Sequence, residues 1–137
     1  MAGMKTGAAN DHLKMEGLMF IDKPLIVFEM ANNHMGDVNH GLLMIDTFGN
    51  FVHDYSDFDF AFKFQFRDIP SFIHPDYKDR MDVKYVKRFS ETALSKQQFA
   101  KMFDRVRSFD MKVMTTQFDE NSVDLAEELD VDIIKIA

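Results

Sequence analysis

Residues 58–67 read FDFAFKFQFR, five phenylalanines at a strict spacing of two. Successive side chains of a β-strand point to opposite faces of the sheet. Phe58, Phe60, Phe62, Phe64 and Phe66 therefore share one face, and Lys63 and Gln65 lie on the other with Ala61 and Arg67. In a parallel barrel one face of each strand meets a layer of helices and the other meets the lumen. The phenylalanines suit the helix side. Lys63 and Gln65 then point inward near the carboxyl end of the strand, where barrels build their sites.

A second stretch, residues 25–37, reads LIVFEMANNHMGD. A short apolar run carrying one acid, Glu29, gives way to Asn32, Asn33 and His34 and then to Gly36 and Asp37. An acid in such a run is costly to bury without a partner. The run predicts a buried parallel strand over residues 25–30 that delivers polar groups to the carboxyl edge of a sheet. Gly36 permits a tight turn, and Asp37 can cap the helix expected over residues 38–53, where Leu42, Ile45, Phe48 and Val52 recur at helical spacing. Gly41 and Gly49 weaken that helix slightly.

Residues 67–94 form a long connection with Pro70, Pro75 and a basic run, Lys84, Lys87 and Arg88; a short helix is expected over residues 83–89. Ser95 with Gln98 is a capping-box pattern opening a helix striped by Phe99, Met102, Phe103 and Val106. A third strand is expected over residues 112–116, with Met114 and Thr116 on one face. Asp119 caps a short helix, and a fourth strand, DIIKIA, is expected over residues 132–137 with Lys135 as its one cation. Strands alternating with helices predict an α/β fold with a parallel sheet and right-handed crossovers. A (β/α)8 TIM barrel takes about 250 residues, so this sequence of 137 reads as its N-terminal half, β1 to β4, truncated after the fourth strand. Residues 20–137 are assigned to that barrel portion and residues 1–19 to a polar lead-in expected to be disordered.

Composition narrows the function classes. A net charge of −7 argues against a general nucleic-acid binder but leaves room for a locally basic site. The absence of cysteine removes disulfides and thiolate chemistry and suits a reducing compartment. No apolar stretch has the length of a membrane span, and the lead-in lacks the apolar core of a secretory signal. The fifteen phenylalanines and eleven methionines read as core filling. His40, His53 and His74 share no ligand spacing.

Four motifs, in order, resemble the sialic acid synthase family, which includes the legionaminic and pseudaminic acid synthases. LIVFEMANNHMGD is similar to the family's first strand and Asn-His-x-Gly turn, and FAFKFQF to its Lys-Phe-Gln strand. MTTQFDENSVDLAEEL is similar to its Ser-Thr-Pro-Phe-Asp segment and helix, and DIIKIA to its Lys-Ile-Ala-Ser strand. The chain departs from the family at Met30 and Ala31, where Ile-Gly is usual, and at Gln117, where Pro is usual.

The resemblance implies condensation of phosphoenolpyruvate with an N-acetylated amino sugar such as N-acetylmannosamine, giving a nonulosonic acid for surface polysaccharide biosynthesis. Lys63 and Lys135 would hold the phosphate and carboxylate of phosphoenolpyruvate, and Thr116 would hydrogen-bond the same substrate. Gln65 would help to place the sugar, and Glu29 would be the catalytic proton acceptor or donor. Asn33 and His34 are expected either to touch substrate or to satisfy the turn backbone. A divalent metal, Mn or Mg, would polarise the sugar aldehyde, its two histidine ligands lying in the second half of the family's barrel and none in this chain. A cytoplasmic homodimer is implied, with no nucleic-acid or membrane partner, and the half-barrel alone is expected to be inactive. Two other readings remain open on the residues alone: another phosphoenolpyruvate-dependent sugar-acid synthase or aldolase-type barrel, and a non-catalytic half-barrel that binds or dimerises. For Glu29 the bland alternative is a structural ion pair with Lys63 or Lys135.

Overall fold

A computed structural model describes residues 23–137; the lead-in assigned to residues 1–19 lies outside the described residues. Strand β1 (Leu25–Ala31) leads through helix α1 (Val38–Val52) to β2 (Asp59–Phe66). The connection onward holds α2 (Ile69–Phe72), a 3-10 turn at Pro75–Tyr77, α3 (Lys84–Glu91) and α4 (Lys96–Arg107), and ends in β3 (Lys112–Gln117). Helix α5 (Glu120–Glu128) then leads to β4 (Ile133–Ile134). The four strands pair in parallel in the order β1-β2-β3-β4. Consecutive parallel strands joined by helical crossovers are the architecture of the N-terminal part of a (β/α)8 barrel.

The aromatic face of β2 organises the core. Phe60, Phe62, Phe64 and Phe66 are buried, whereas Phe58 precedes the strand and is exposed. Helix α4 lays its apolar stripe on them, with ring centroids 5.0 Å apart for Phe64 and Phe103 and 4.7 Å for Phe66 and Phe99. Phe28 of β1 meets Phe48 of α1 at 4.6 Å. Each fully buried phenylalanine contributes about 1.5–3 kcal/mol, so this layer decides which face of the sheet the helices cover.

Local chemistry sets the element ends. The Asp37 carboxylate accepts the Asn39 N–H at 2.8 Å, and the Asp119 carboxylate accepts the Ser122 N–H at 2.8 Å. Ser95 and Gln98 form both halves of the capping box. Gly36 has φ +76°, and a Cβ there would lie 2.6 Å from the Glu91 carbonyl oxygen, so only glycine lets the β1–α1 turn reach the end of α3. Gly49 is a docking point: a Cβ there would lie 2.3 Å from the Phe109 ring. The helix gives up propensity at that position in exchange for close approach.

One sequence expectation needs correction, and two elements are found with slightly shifted bounds. The fourth strand, expected over residues 132–137, is reduced to Ile133–Ile134, extended only by the Lys135 N–H donating to the Thr115 carbonyl at 2.8 Å. Among the described residues β4 has a neighbour on one side alone, and Ile136 is 89% exposed. The short helix expected over residues 83–89 is present, with its bounds at Lys84–Glu91. Strand β1 continues through Ala31, which takes φ +44° where the register with β2 slips between Glu29 and Ala31.

Candidate active site at the strand ends

Parallel register carries side chains of one face into rows. Glu29 stands beside Lys63, Lys63 beside Met114, and Met114 beside Ile133. The next row places Gln65 beside Thr116, and Lys135 follows one residue beyond the Thr115–Ile134 pair. Glu29, Lys63, Gln65, Thr116 and Lys135 therefore occupy one face of the sheet, opposite the phenylalanines, towards the carboxyl ends.

The Lys63 ammonium donates to the Glu29 carboxylate in an ion pair. The two partners are unequally placed: the Lys63 side chain is 9% exposed and that of Glu29 47%. The acid is thus not buried in its apolar run; it stands at the edge and neutralises a lysine that is. Thr116 is buried, and its Oγ1 has no hydrogen-bond partner among the described residues. Lys135 is exposed, with no carboxylate in ion-pair reach among the described residues.

The Asn-Asn-His segment is a tight turn. The Asn33 N–H donates to the Met30 carbonyl at 2.8 Å, and the Asp37 N–H to that of His34 at 2.9 Å. Asn33 itself is exposed. His34 is 2% exposed, and its Nδ1 accepts the Gly36 N–H at 3.1 Å, which leaves the ring proton on Nε2. Burial, and secondarily the nearby His40, holds the imidazole below its ordinary value, so it is neutral near pH 7. With Asn32, Gln65, Arg67 and Thr92, His34 lines a cavity of about 30 Å3, room for roughly one water.

Sequence patterning does not single out Arg67 or Asn32 as site residues. The Arg67 guanidinium carbon lies 3.9 Å from the centroid of Phe118, 4.6 Å from Phe89 and 5.6 Å from Phe72. Its Nη2 donates to Gln65 Oε1 at 2.9 Å, and its Nε is buried without a partner. Burial and the neighbouring Arg88 lower its proton affinity while Asp119 raises it, yet a guanidinium stays charged throughout. The three rings come from α2, from α3 and from the residue that follows β3, so no short motif announces them.

Among the described residues no group of three His, Asp or Glu side chains converges as a metal centre, and the Glu29 carboxylate is engaged by Lys63. The residues present do not fit a divalent metal on their own.

Residues 58–137, more than half of the chain, match the NeuB family. The chain belongs to the NeuB family. Among solved structures this NeuB chain is similar to a putative spore coat polysaccharide biosynthesis protein E from Chromobacterium violaceum, with 50% identity, a TM-score of 0.78, and coverage of 84% of this chain and 34% of that one. It is similar to an N-acetylneuraminic acid (sialic acid) synthetase from Leptospira borgpetersenii solved with citrate, at 25% identity and a TM-score of 0.63, covering 84% of this chain and 36% of that one. A spore coat polysaccharide biosynthesis protein from Bacillus subtilis, at 22% identity and a TM-score of 0.54, covers 83% of this chain and 29% of that one and shares the fold. The NeuB chain thus spans about a third of the length of these structures. No curated protein matches it. No described helix is long and apolar enough to cross a membrane.

Proposed function

We propose that this chain forms the phosphoenolpyruvate-binding side of a sialic acid synthase-like enzyme that condenses phosphoenolpyruvate with an N-acetylated amino sugar. The observation that carries the reading is the single sheet face shared by Glu29, Lys63, Gln65, Thr116 and Lys135. Two strand-end lysines supply the positive charge that a phosphate and a carboxylate require. Lys63 has three N–H donors and can keep Glu29 while serving a substrate oxygen. The orphaned Thr116 hydroxyl gains a partner when a substrate oxygen arrives.

In the reaction the methylene carbon of phosphoenolpyruvate would bond to the sugar aldehyde carbon, whose oxygen takes a proton and becomes a hydroxyl. Water then adds at the carbon bearing phosphate and gives up its protons as that C–O bond breaks, leaving a keto group and inorganic phosphate. Glu29, at the edge of the face, accepts or donates the proton these steps move. Gln65 positions the sugar, and His34 supports the floor of the site through its turn. A divalent metal, a homodimer and a cytoplasmic setting belong to the same proposal and rest on the family resemblance.

The test is phosphate release by the protein as its gene encodes it, given phosphoenolpyruvate with each of several N-acetylated amino sugars. Sugar-dependent release is the expected result. Release independent of any sugar, or no release together with no measurable phosphoenolpyruvate binding, would sink the reading.

A further inference from the structure

We propose that Arg67 is a positioning residue that locks the Gln65 side chain with its amide nitrogen, not its oxygen, facing the ligand. The inference rests on the reading of Gln65 as a sugar contact. A guanidinium has donors and no acceptor, so the group meeting Arg67 Nη2 at 2.9 Å must be Gln65 Oε1. The orientation of the amide is thereby decided by chemistry. Gln65 Nε2 and its two N–H donors are left over, with no acceptor among the described residues. Gln65 borders the small strand-end cavity beside Asn32 and His34.

The lock is itself held in place. Phe72, Phe89 and Phe118 surround the guanidinium, and Asp119, near enough to act on its charge, accepts no hydrogen bond from it among the described residues. Aromatic faces stabilise a cation without offering it an acceptor of comparable strength. Gln65 is therefore the one side chain that accepts from Arg67 among the described residues. A ligand group at this position must be an acceptor, such as the carbonyl of an acylamino group, and a free ammonium there is disfavoured.

Two variants test this in the protein as its gene encodes it. Arg67→Met keeps an unbranched chain among the rings and removes the donors; Arg67→Lys keeps charge and donors. In isotope-labelled protein the Gln65 amide resonance, assigned by its loss in Gln65→Glu, is expected to keep its position in Arg67→Lys. It is expected to move to the range of free glutamine amides in Arg67→Met. An unchanged resonance in Arg67→Met overturns the inference. With phosphoenolpyruvate and N-acetylmannosamine, Arg67→Met is expected to raise the sugar KM about tenfold, the scale of one charge-assisted hydrogen bond, and to add nothing in a Gln65→Ala background. Equal rises in the KM of both substrates mark a merely structural role and overturn the positioning. Absent turnover in the wild type with the resonance shift intact sinks the proposed function and leaves the lock standing.

Discussion

Ala31 shows how a single backbone angle links the turn to the site. Its φ of +44° is left-handed, a conformation that costs a residue with a Cβ about 1–2 kcal/mol. The resembling family usually has glycine there. Ala31→Gly is expected to stabilise the protein by up to about 1 kcal/mol, the gain being partly offset by the freer unfolded chain; chemical denaturation measures it, and a loss of stability would contradict the strain. His34 carries a pH dependence of definite sign. Its folded value is depressed below 6.5 by burial, so the unfolded chain binds its proton first as pH falls. Stability from this group is complete above the unfolded value and is lost as pH drops from there through the depressed one. Thermal unfolding from pH 7 downward should show a decline that His34→Gln flattens; equal slopes in both proteins would remove His34 as the cause.

Element by element, what is legible in the sequence follows from repetition. The period-two phenylalanines make β2 plain, because burial of one face leaves little freedom in register. Ser95 and Gln98 mark the start of α4 because a capping box needs only two residues at fixed spacing. Ser95→Ala is expected to cost about 1 kcal/mol, read by denaturation, and a change within error would show that α4 is held by its apolar stripe alone. The β2–β3 connection is far less legible. Its first helix, Ile69–Phe72, is a single turn, too short for any period to register. Arg67 escapes sequence reading for a related reason: its three aromatic neighbours come from three separate parts of the chain. The Glu29–Lys63 pair is the bland alternative to a site that the sequence already offers. The structure shows that pair, and the proposed role for Glu29 has to operate with it present.

At the scale of the whole molecule, the helix-facing side of the sheet is covered, and among the described residues its two margins, β1 and β4, each have a strand neighbour on one side alone. Ile26 and Val27 of β1 are each 38% exposed, and Ile134 of β4 is 57% exposed. An open strand margin with apolar side chains is a template for pairing with another chain. The 137-residue chain expressed on its own is therefore expected to self-associate in size-exclusion chromatography, and a stable monomer would contradict this. The central claim concerns the face opposite the phenylalanines, where Lys63, Thr116 and Lys135 are proposed to meet an anion beside Glu29. Calorimetric titration of phosphoenolpyruvate into the protein as its gene encodes it, with and without Lys63→Ala, addresses that claim most directly. Removing one partner of a close charge pair costs about 2–5 kcal/mol, so the variant is expected to bind at least about thirtyfold more weakly. Equal affinity in the two proteins would take Lys63, and with it the proposed anion site, out of the account.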